Sequence, residues 1–580
     1  MFNKVIQMNK KKIGFLINFL VILCSFSINF ENLMTPNIQA FPLYPESPKW
    51  SIPFVMSDQS NQDSTFSSVA VDYKGNVHIA WQDDSNILGS GSDWDIFYRY
   101  WDTSSSAWSD IEVVSSESTG NSMFVEIAVD SSGDAHFVWN DDTSNIAGSG
   151  SDRDICYKSW DSSTSSFTTL EIVSSESTDQ SWHASLAIDI SGNIYVVWED
   201  ETNYDSCGSD DDIFYKFWNK TTSSWTLTEV VSTESTSISM NPSIDVDSFS
   251  NVYVVWSDHT DYAGAGAEED IFYKKRISIT SSWTITEVLS YEGTVQTTYP
   301  DVVVDLIGNV HAVYIDSTNL GGNGGDFDIF YKRWNYLTST WTEVEVLSAE
   351  SNGHSLFPKI EVLSAFYVHV IWCDETNYFG VGTDRDIFYK YWNVATASWS
   401  TPAVVSIEST AESRFPALAL ANDGSIHAVW EDKTNYNNSG SDFDIFYKRY
   451  EYPLSTPELA PILPYPSNTD TAFLDWNDIY GVKQYYIFRS SEYIWSTESL
   501  IPIAITTSSN YSDIVETEGV YYYSIVACDK IFNSSHSNCQ FFEYKLPHVQ
   551  EIIKVFSILG GLAVIFFTVA IVRKRNKTSF

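Results

Sequence analysis

The sequence predicts an all-β protein built around a closed seven-bladed β-propeller, with a smaller β domain and one C-terminal transmembrane helix after it. Three observations lead to this prediction. Seven repeats of nearly constant length run through the first ~450 residues. Each repeat contains four short strand-like runs separated by turn residues. A long apolar segment stands near each end of the chain.

The repeat is anchored by an aromatic residue that recurs every 58 or 59 positions, at Trp81, Trp139, Trp198, Trp256, Tyr314, Trp372 and Trp430. The first repeat reads SSVAV, NVHIAW, DIFYRYW and WSDIEVV, with Ser, Thr, Gly and Asn between the runs. Four strands per repeat are typical of propeller blades. The runs lack the 3.6-residue periodicity of a helical solenoid.

The termini predict how the ring closes. The aromatic residue that opens each fourth strand also occurs at Trp50, before the first complete repeat, and no copy follows Asp444. We therefore expect the strand from Trp50 to Ser57 to complete the last blade, whose other strands lie between 414 and 450. This closure removes exposed sheet edges and makes residues 41–452 one propeller.

The composition excludes one class of partner and indicates a packed core. The 580 residues include 76 acidic and 32 basic side chains, a formal net charge of −44. Such a chain is not expected to bind nucleic acid, because phosphates require the opposite charge. Hydrophobic residues make up 43% and aromatic residues 15% of the chain, which is far from the composition of a disordered protein.

The chain ends predict export and anchoring in the cell membrane. Residues 1–40 contain four lysines and then an apolar run, which indicates a signal peptide or an N-terminal anchor. Within 548–572, Val555 to Val572 carries no charge and Arg573-Lys574-Arg575 follows directly, as in a transmembrane helix with a cytoplasmic tail at 573–580. The bulk of the chain would then be extracellular, with membrane lipid as one partner.

Residues 453–547 follow a different pattern. After a Pro-rich linker, the strings FLDWN, QYYIFRS and GVYYYSIVACD resemble a fibronectin type III domain, an immunoglobulin-like β-sandwich. The resemblance implies that Trp476 is the core tryptophan of the second strand and that Tyr521 to Tyr523 include a tyrosine corner. We expect this domain to act as a spacer.

Covalent modification is predicted at two kinds of site. Cys528 and Cys539 flank the expected last hairpin of the C-terminal domain, where a disulfide and two free thiols are both open alternatives. Asn219, Asn437, Asn510 and Asn533 begin N-x-S/T sequons in the outward region, and we expect glycosylation there if the host can perform it.

Each loop between the second and third strands is bracketed by acids and contains glycine or other small turn residues. Oxygen ligands on such a loop suit Ca²⁺, the one cofactor that the sequence suggests, although Asp in turns also bonds its own backbone. The candidate calcium ligands are Asp83, Asp93, Asp95, Asp141, Asp152, Asp154, Asp200, Asp210, Asp212, Asp258, Asp270, Asp316, Asp326, Asp328, Asp374, Asp384, Asp386, Asp432, Asp442 and Asp444.

Two further ring positions repeat. An acid follows each fourth strand, at Glu117, Glu176, Glu234, Glu292, Glu350 and Glu408, and we expect it on the same face as the bracketed loops. This acidic face could recruit cations or basic partners. Histidine stands three residues before the anchor at His78, His136, His311, His369 and His427, where a repeated buried hydrogen bond is the favoured interpretation.

The blades resemble, in outline, those of sialidase-like surface propellers, in strings such as VDSSGDAHFVW (129–139) and IDISGNIYVVW (188–198). That family includes enzymes and binding proteins. A sialidase needs three convergent arginines, but most arginines here occupy an outward basic slot of the third strand or lie between paired acids. The family's S-x-D-x-G-x-x-x-W box is not reproduced, and no catalytic residues are predicted.

The sequence therefore favours a cell-surface binding, adhesion or receptor protein that recognises an extracellular protein or glycan without turning it over. A membrane-tethered carbohydrate-active enzyme and a purely structural envelope protein are the alternatives. Near-identical repeats favour the structural alternative, because a specific site usually requires one blade to break the pattern. The sixth repeat departs most, in SAFYVHVIW (364–372).

Overall fold

A computed structural model describes residues 49–545, except 267, 294–295, 321–323, 365–366, 394–396, 452–455, 465, 480–481, 483, 495–496, 498–499, 529–533 and 535–536. The predicted signal segment (1–40), transmembrane helix (548–572) and tail (573–580) lie outside these residues. Within the described part of the chain, no helix has the length and apolarity needed to cross a membrane. One compact unit ends at residue 452 and a second follows it.

The first unit contains seven antiparallel sheets, which confirms the all-β prediction and the seven repeats. Blade 1 consists of β3 (Ser64–Val71), β4 (Val77–Asp83), β5 (Asp95–Asp102), β6 (Ala107–Trp108) and β7 (Glu112–Val113). Blade 2 consists of β8 (Ser122–Val129), β9 (Ala135–Asp141), β10 (Asp154–Asp161), β11 (Ser166–Phe167) and β12 (Glu171–Ile172), with a short 3₁₀ turn at Ile146–Gly148. Blade 3 consists of β13 (Ser181–Ile188), β14 (Ile194–Asp200), β15 (Asp212–Asn219), β16 (Ser224–Trp225) and β17 (Glu229–Val230).

The remaining blades repeat this plan. Blade 4 consists of β18 (Ser239–Val246), β19 (Val252–Asp258), β20 (Asp270–Ile277), β21 (Ser282–Trp283) and β22 (Glu287–Val288). Blade 5 consists of β23 (Thr297–Val304), β24 (Val310–Asp316), β25 (Asp328–Asn335), β26 (Thr340–Trp341) and β27 (Glu345–Val346). Blade 6 consists of β28 (Ser355–Ser364), β29 (Tyr367–Asp374), β30 (Asp386–Asn393), β31 (Ser398–Trp399) and β32 (Ala403–Val404). Blade 7 consists of β33 (Ser413–Leu420), β34 (Ile426–Asp432), β35 (Asp444–Glu451), β1 (Lys49–Trp50) and β2 (Phe54–Val55).

The predicted fourth strand is two short pieces in every blade, both paired with the third strand. The first strand of each blade is innermost. It contacts the first strands of both neighbouring blades, and β33 of blade 7 contacts β3 of blade 1, so the seven sheets form a closed ring. The propeller is therefore closed around a central channel lined by seven first strands.

The N-terminal strand closes the ring as the sequence predicts. Lys49 and Trp50 pair with Glu451 and Tyr450, and Phe54 pairs with Tyr447. The indole of Trp50 also packs edge-on against Tyr450, with ring centroids 4.9 Å apart. Residues nearly 400 positions apart thus belong to one sheet.

The hydrophobic core is divided among the blade junctions. The anchor aromatics are almost wholly buried in every blade. Trp81 of blade 1, for example, belongs to one cluster with Ala417, Val429 and Ile445 of blade 7. Apolar burial between neighbouring sheets is therefore what holds the ring together.

Buried lysines add a polar connection across six of the junctions. The Lys side chains of the D-I-F-Y-K strings in blades 2 to 7 are buried, and their ammonium groups donate to a backbone carbonyl of the preceding blade. Each also pairs with the predicted acid that follows the preceding blade's fourth strand. The pairs are Lys158–Glu117, Lys216–Glu176, Lys274–Glu234, Lys332–Glu292, Lys390–Glu350 and Lys448–Glu408.

These contacts correct the sequence analysis on one point. The basic slot of the third strand does not face outward. Arg99, which takes the lysine position in blade 1, is also largely buried and bonds to the Met56 carbonyl and Asp58. The pattern was misjudged because a repeated Lys or Arg normally marks an exposed strand face.

The second unit has two sheets. The larger sheet has the order β38 (Ala504–Thr506), β37 (Gln484–Ser490), β40 (Gly519–Cys528) and β41 (Gln540–Tyr544), and the smaller pairs β36 (Thr471–Asp475) with β39 (Asn510–Ile514). Trp476 is buried in the core between them. The hydroxyl of Tyr521 donates to the Thr517 carbonyl at 2.8 Å.

Cys528 and Cys539 are not joined by a disulfide in this structure. Gln540 pairs with Tyr523, whereas Cys528 pairs with Gln484 five residues further along β40. Five residues of strand span roughly 15 Å, too far for a disulfide. The sequence could not show this because a disulfide depends on strand register.

A buried junction lysine should contribute measurably to stability. Lys274 donates to the Val231 carbonyl at 2.7 Å and to the Thr233 hydroxyl at 2.7 Å. We expect Lys274→Met to lower the free energy of unfolding by about 1–3 kcal/mol, because a buried carbonyl loses its donor. Urea denaturation monitored by tryptophan fluorescence measures this. Lys220→Met, at an exposed lysine, is the control and should change stability by less than about 0.5 kcal/mol. Equal effects would contradict the assigned role.

Candidate functional site

The ring has two distinct faces. The acidic face carries the loops between second and third strands, such as 84–94, and the loops that enter each next blade, such as 114–121. The opposite face, called the turn face here, carries the tight turns 72–76 and 103–106 and their equivalents. The strand pairing places the bracketed acids and the Glu117 family on one face, as the sequence predicts.

The central channel opens on the acidic face as a funnel. The third residue of each innermost strand has a left-handed backbone with φ between 42° and 54°. A register shift follows in each first strand, as a β-bulge requires. The seven residues are Phe66, Phe124, His183, Asn241, Tyr299, Phe357 and Phe415. This conformation is unfavourable for residues other than glycine, and the bulge directs the side chains to the channel mouth.

Six of these seven side chains are aromatic and touch in sequence around the mouth. Ring centroids are 4.7 Å apart for His183–Phe124 and for Phe124–Phe66, and 4.4 Å apart for Phe66–Phe415. They are 4.2 Å apart for Phe415–Phe357 and 4.9 Å apart for Phe357–Tyr299. Asn241 fills the remaining position. The rings line a cavity of about 370 Å³.

Polar groups behind the aromatic arc hold its backbone in place. The Phe66 amide donates to Glu431 Oε2 at 3.0 Å, and the Phe124 amide donates to Gln82 Oε1 at 2.8 Å. The Asn241 amide donates to Glu199. In each case the acceptor belongs to the preceding blade. These three strained residues are therefore held in place from a neighbouring sheet.

The same two glutamates are paired with cations. Burial raises the pKa of Glu431 to about 7, although the adjacent Arg414 guanidinium opposes this rise. His183 Nδ1 lies 3.0 Å from both carboxylate oxygens of Glu199. Burial alone would lower the pKa of His183, but the Glu199 carboxylate outweighs burial and raises it.

An ionic bridge forms the floor of the funnel. Lys359 of blade 6 reaches Asp301 Oδ1 of blade 5 at 3.4 Å and Glu126 Oε1 of blade 2 at 3.6 Å. Glu126 also accepts from the Ser68 hydroxyl of blade 1 at 2.9 Å. Four blades are thus linked across the channel. Asp301 and Glu126 raise the pKa of Lys359, against the effect of its burial.

Two more carboxyl groups line the channel below this floor. Burial raises the pKa of Asp245 to about 7 and that of Glu361 to about 8, and the nearby carboxylates add to both shifts. This lower cavity has a volume of about 330 Å³ and shares lining residues with the funnel. Both acids therefore hold protons through part of the neutral pH range.

The predicted calcium ligands have structural partners. The first acid of each loop is buried, and its two carboxylate oxygens accept bonds from nearby hydroxyl and backbone groups. Asp141, for example, accepts from the Thr143 amide at 2.9 Å, the Ser122 hydroxyl at 2.7 Å and the Trp139 indole at 3.1 Å. Asp141 is thus a carboxylate hub, which connects the loop that enters blade 2 with the loop between the second and third strands of that blade. Asp83, Asp200, Asp258, Asp316, Asp374 and Asp432 occupy equivalent positions.

The third acid of each loop lies at the start of the third strand. Its Oδ1 accepts from the serine that ends the fourth strand, as in Asp95 with Ser115 at 2.7 Å. The second oxygen is buried without a hydrogen-bond partner at five positions, Asp95, Asp154, Asp212, Asp386 and Asp444. Burial raises the pKa of these carboxyls to about 6, and that of Asp386 to about 7.

The middle acids lie against glycines of their loops. A Cβ added at Gly91, whose φ is 131°, would come within 2.5 Å of Asp93 Oδ1, so this position requires glycine. Among the described residues, no group of three or more His, Cys, Asp or Glu side chains is arranged to hold a metal ion. Calcium binding at these loops remains a prediction from sequence.

The histidine ring is buried, as favoured from the sequence. Each imidazole Nδ1 lies 2.7–2.8 Å from the hydroxyl of a tyrosine on the adjacent third strand, as in His78 with Tyr98. Burial lowers the pKa of His78 to about 4 and that of His369 and His427 to about 3. These groups support the blades and lie apart from the funnel.

The predicted glycosylation sites differ in access. Asn437 and Asn510 are exposed, while Asn219 is half-buried and accepts from the amides of Thr221 and Thr222. Asn533 lies outside the described residues. No structural contact distinguishes the exposed pair as modified or unmodified.

The funnel and channel residues were missed by sequence reasoning. Glu126, Asp301 and Lys359 share one strand position, and Asp245 and Glu361 share another two residues later. The sequence did contain a signal, because charged residues stand at two positions of the first strand where the other blades have small or apolar residues. The sixth repeat, singled out for its departure from the pattern, does supply Lys359 and Glu361.

No family model and no curated protein matches this chain. Solved structures match it distantly. A polysaccharide lyase described as an ulvan lyase is 10% identical over 69% of this chain and 94% of its own, with a TM-score of 0.44. A leech intramolecular trans-sialidase is 11% identical over 70% of each chain, with a TM-score of 0.35. A Fn3-like protein from Clostridium thermocellum is 32% identical over 16% of this chain and 98% of its own, with a TM-score of 0.14. None of these likenesses is close enough to indicate a function.

The raised pKa of Asp386 predicts a pH-dependent contribution to stability. A carboxyl whose pKa is higher in the folded state stabilises the fold below its ordinary pKa, and this contribution is lost as pH rises through 7. We expect the free energy of unfolding of Asp386→Asn to rise by about 2 kcal/mol relative to that of the native chain as the pH goes from 5 to 8. Thermal unfolding of both proteins across this range measures the difference.

The buried histidines contribute to stability with the opposite pH dependence. Both chains contain them, so their contribution cancels when the two free energies of unfolding are compared at the same pH. Glu343→Gln, at an exposed carboxylate of blade 5, is the control and should show no such trend. A difference for Asp386→Asn that stays constant with pH would contradict the assignment.

Proposed function

We propose that the propeller binds a carbohydrate in the aromatic funnel. The observation that carries this proposal is the arc of six touching rings at the channel mouth. Sugars present flat faces of C–H groups that stack on aromatic rings, and their hydroxyls need a few fixed polar partners. The funnel offers both, because Asn241, Tyr299, Glu126 and His183 stand among the rings. A largely apolar concave site with few polar groups is typical of small-ligand binding.

The charges of the funnel favour a neutral sugar. Each cation among its described residues already faces a carboxylate, as Arg414 faces Glu431 and Lys359 faces Asp301. An anionic sugar would meet these carboxylates without a free cation to pair with it. The net charge of −44 would also repel a polyanionic glycan at a distance.

A second candidate function is glycan cleavage, supported by one arrangement at the funnel floor. Glu126 and Asp301 both lie within 3.6 Å of the Lys359 ammonium nitrogen. Two carboxyl groups near one sugar are the usual requirement of glycoside hydrolysis. However, Asp301 also accepts from the Ile360 amide at 2.8 Å and the Ser243 hydroxyl at 3.1 Å. Its carboxylate is therefore bound internally, and binding without turnover is the better supported function.

The setting that we propose is the outer surface of a cell. The apolar segments at 1–40 and 548–572 would export and anchor the chain in a single-pass arrangement. The second unit would be a fibronectin type III-like domain between the propeller and the anchor in the chain, which its two-sheet order and the Tyr521 hydrogen bond support.

A glycan array probed with the full chain in detergent tests the proposal. We expect binding to neutral glycans, and we expect Phe415→Ala to weaken it at least tenfold, because its ring contacts both Phe66 and Phe357. Phe379→Ala is the matched control. Phe379 is exposed on an acidic-face loop with φ of 57° but lies outside the funnel. No glycan bound, or equal binding by both variants, would contradict the proposal.

The same array distinguishes binding from cleavage. Glu126→Gln keeps the shape of the side chain but removes its charge. If the funnel cleaves glycans, reducing ends accumulate with the native chain and not with this variant. If it binds only, neither protein releases them. We expect the second result.

A further inference from the structure

The turn face is apolar in three consecutive blades. In blades 3, 4 and 5, its tight turns expose large hydrophobic side chains, with Ile279 93% exposed, Leu337 86% and Phe249 79%. We call these exposed side chains the apolar patch. It consists of Ile190, Phe249, Ile279, Leu306, Ile307, Tyr336 and Leu337. Large contiguous apolar patches on a protein surface usually mark an interaction site.

The patch breaks the symmetry of the propeller. The inner turn that carries Leu306 and Ile307 in blade 5 carries Ser131 and Ser132 in blade 2, and Asn422 and Asp423 in blade 7. The outer turn that carries Leu337 in blade 5 carries Ser163 in blade 2. The turns have the same backbone, so hydrophobic side chains are not required for folding there.

Hydrogen bonds join neighbouring turns of the patch at two places. The Ser250 hydroxyl of blade 4 donates to Asp189 Oδ2 of blade 3 at 2.7 Å. Within blade 5, the Tyr336 amide donates to Asn309 Oδ1 at 3.0 Å, so its inner and outer turns pack together. The inner turns of blades 3 and 4 are thus joined, as are the two turns of blade 5, and all of them lie on the turn face.

The patch is almost free of charge on a chain of net charge −44. The turn carboxylates Asp189 and Asp305 are buried, and both accept from the asparagine that ends their turn. Asp247, which is half-buried, does the same with Asn251. Across the six turns of blades 3 to 5, all of them described, Lys220 is the single charged residue that is exposed.

The shape of the patch and the path of the chain favour a lipid surface. The side chains protrude singly from separate turns, and a fluid bilayer interface accepts protruding groups without a complementary pocket. Strand β35 ends at Glu451, beside the turn-face end of β34, so the chain leaves the propeller from this face. The uncharged segment Val555 to Val572 lies further along the same chain.

We propose that the turn face of blades 3, 4 and 5 is a membrane-contact surface, which inserts its apolar patch into the interface of the bilayer that anchors the chain. The absence of exposed carboxylates there removes the repulsion that the rest of this acidic surface would meet at anionic lipid headgroups. The contact directs the aromatic funnel, on the opposite face, away from the membrane.

Site-directed fluorescence on the full chain tests this contact. The chain is reconstituted in phosphatidylcholine vesicles, with an environment-sensitive label on Leu337→Cys or Ile279→Cys. Ser163→Cys, the equivalent outer-turn position of blade 2, is the matched control, and labelled native chain gives the background from existing cysteines. We expect a blue-shifted emission at 337 and 279, and quenching by brominated acyl chains at least threefold greater than at 163.

Three outcomes would overturn the proposal. Equal quenching at 337, 279 and 163 would show that the patch does not enter lipid. A blue shift that persists in detergent and grows with protein concentration would show contact between copies of the chain. A chain that fails to float with vesicles would show that neither patch nor predicted anchor binds lipid. Glycan binding should persist in all three cases, because the funnel lies on the other face.

Discussion

Pairing of the first strand with the last is the constraint on which the propeller depends. Lys49 and Trp50 extend a sheet whose other members begin more than 360 residues later, and β3 then packs against β33. Without this pairing, blade 7 would expose an unpaired edge and the cores of the junctions beside it would open. Every other feature, including the central channel, requires the seven innermost strands to stay in a circle.

Within the closed ring, the residues that repeat from blade to blade have different roles from the residues that do not. Carboxylate hubs, buried lysines and histidine–tyrosine bonds recur in nearly every blade, and they account for most of the acidic positions that stand out in the sequence. These groups are used internally: the hub aspartates bind loops, and the Glu117 family neutralises lysines of the next blade. The irregular positions are few and lie at the channel and on one sector of the turn face. The residues that differ between blades are therefore the better candidates for a functional site.

Much of the fold was predictable because the repeat is almost constant in length. The period of Trp81 and its equivalents gave the number of blades, and the unpaired copy at Trp50 gave the closure. The site was less predictable, because the direction of a side chain depends on the bulge in each first strand. Phe66 and Phe124 read as ordinary strand residues, and only their left-handed backbone directs them to the mouth. The basic slot of the third strand, filled by Arg99 in blade 1, was placed outward because sequence does not show that a neighbouring blade covers it. Cys528 and Cys539 were considered as a pair because strand register is invisible in sequence.

The left-handed bulge at the mouth has a consequence for how this protein can change. All seven positions share the left-handed backbone, and at Phe66, Phe124 and Asn241 a side chain of the preceding blade holds it, so the same backbone accepts different side chains. Phenylalanine, histidine, asparagine and tyrosine already occupy equivalent places among the seven. Each mouth position can thus be exchanged one at a time while the ring stays intact. The mouth can therefore vary residue by residue on a constant scaffold, and each exchange also changes the contacts of the neighbouring rings.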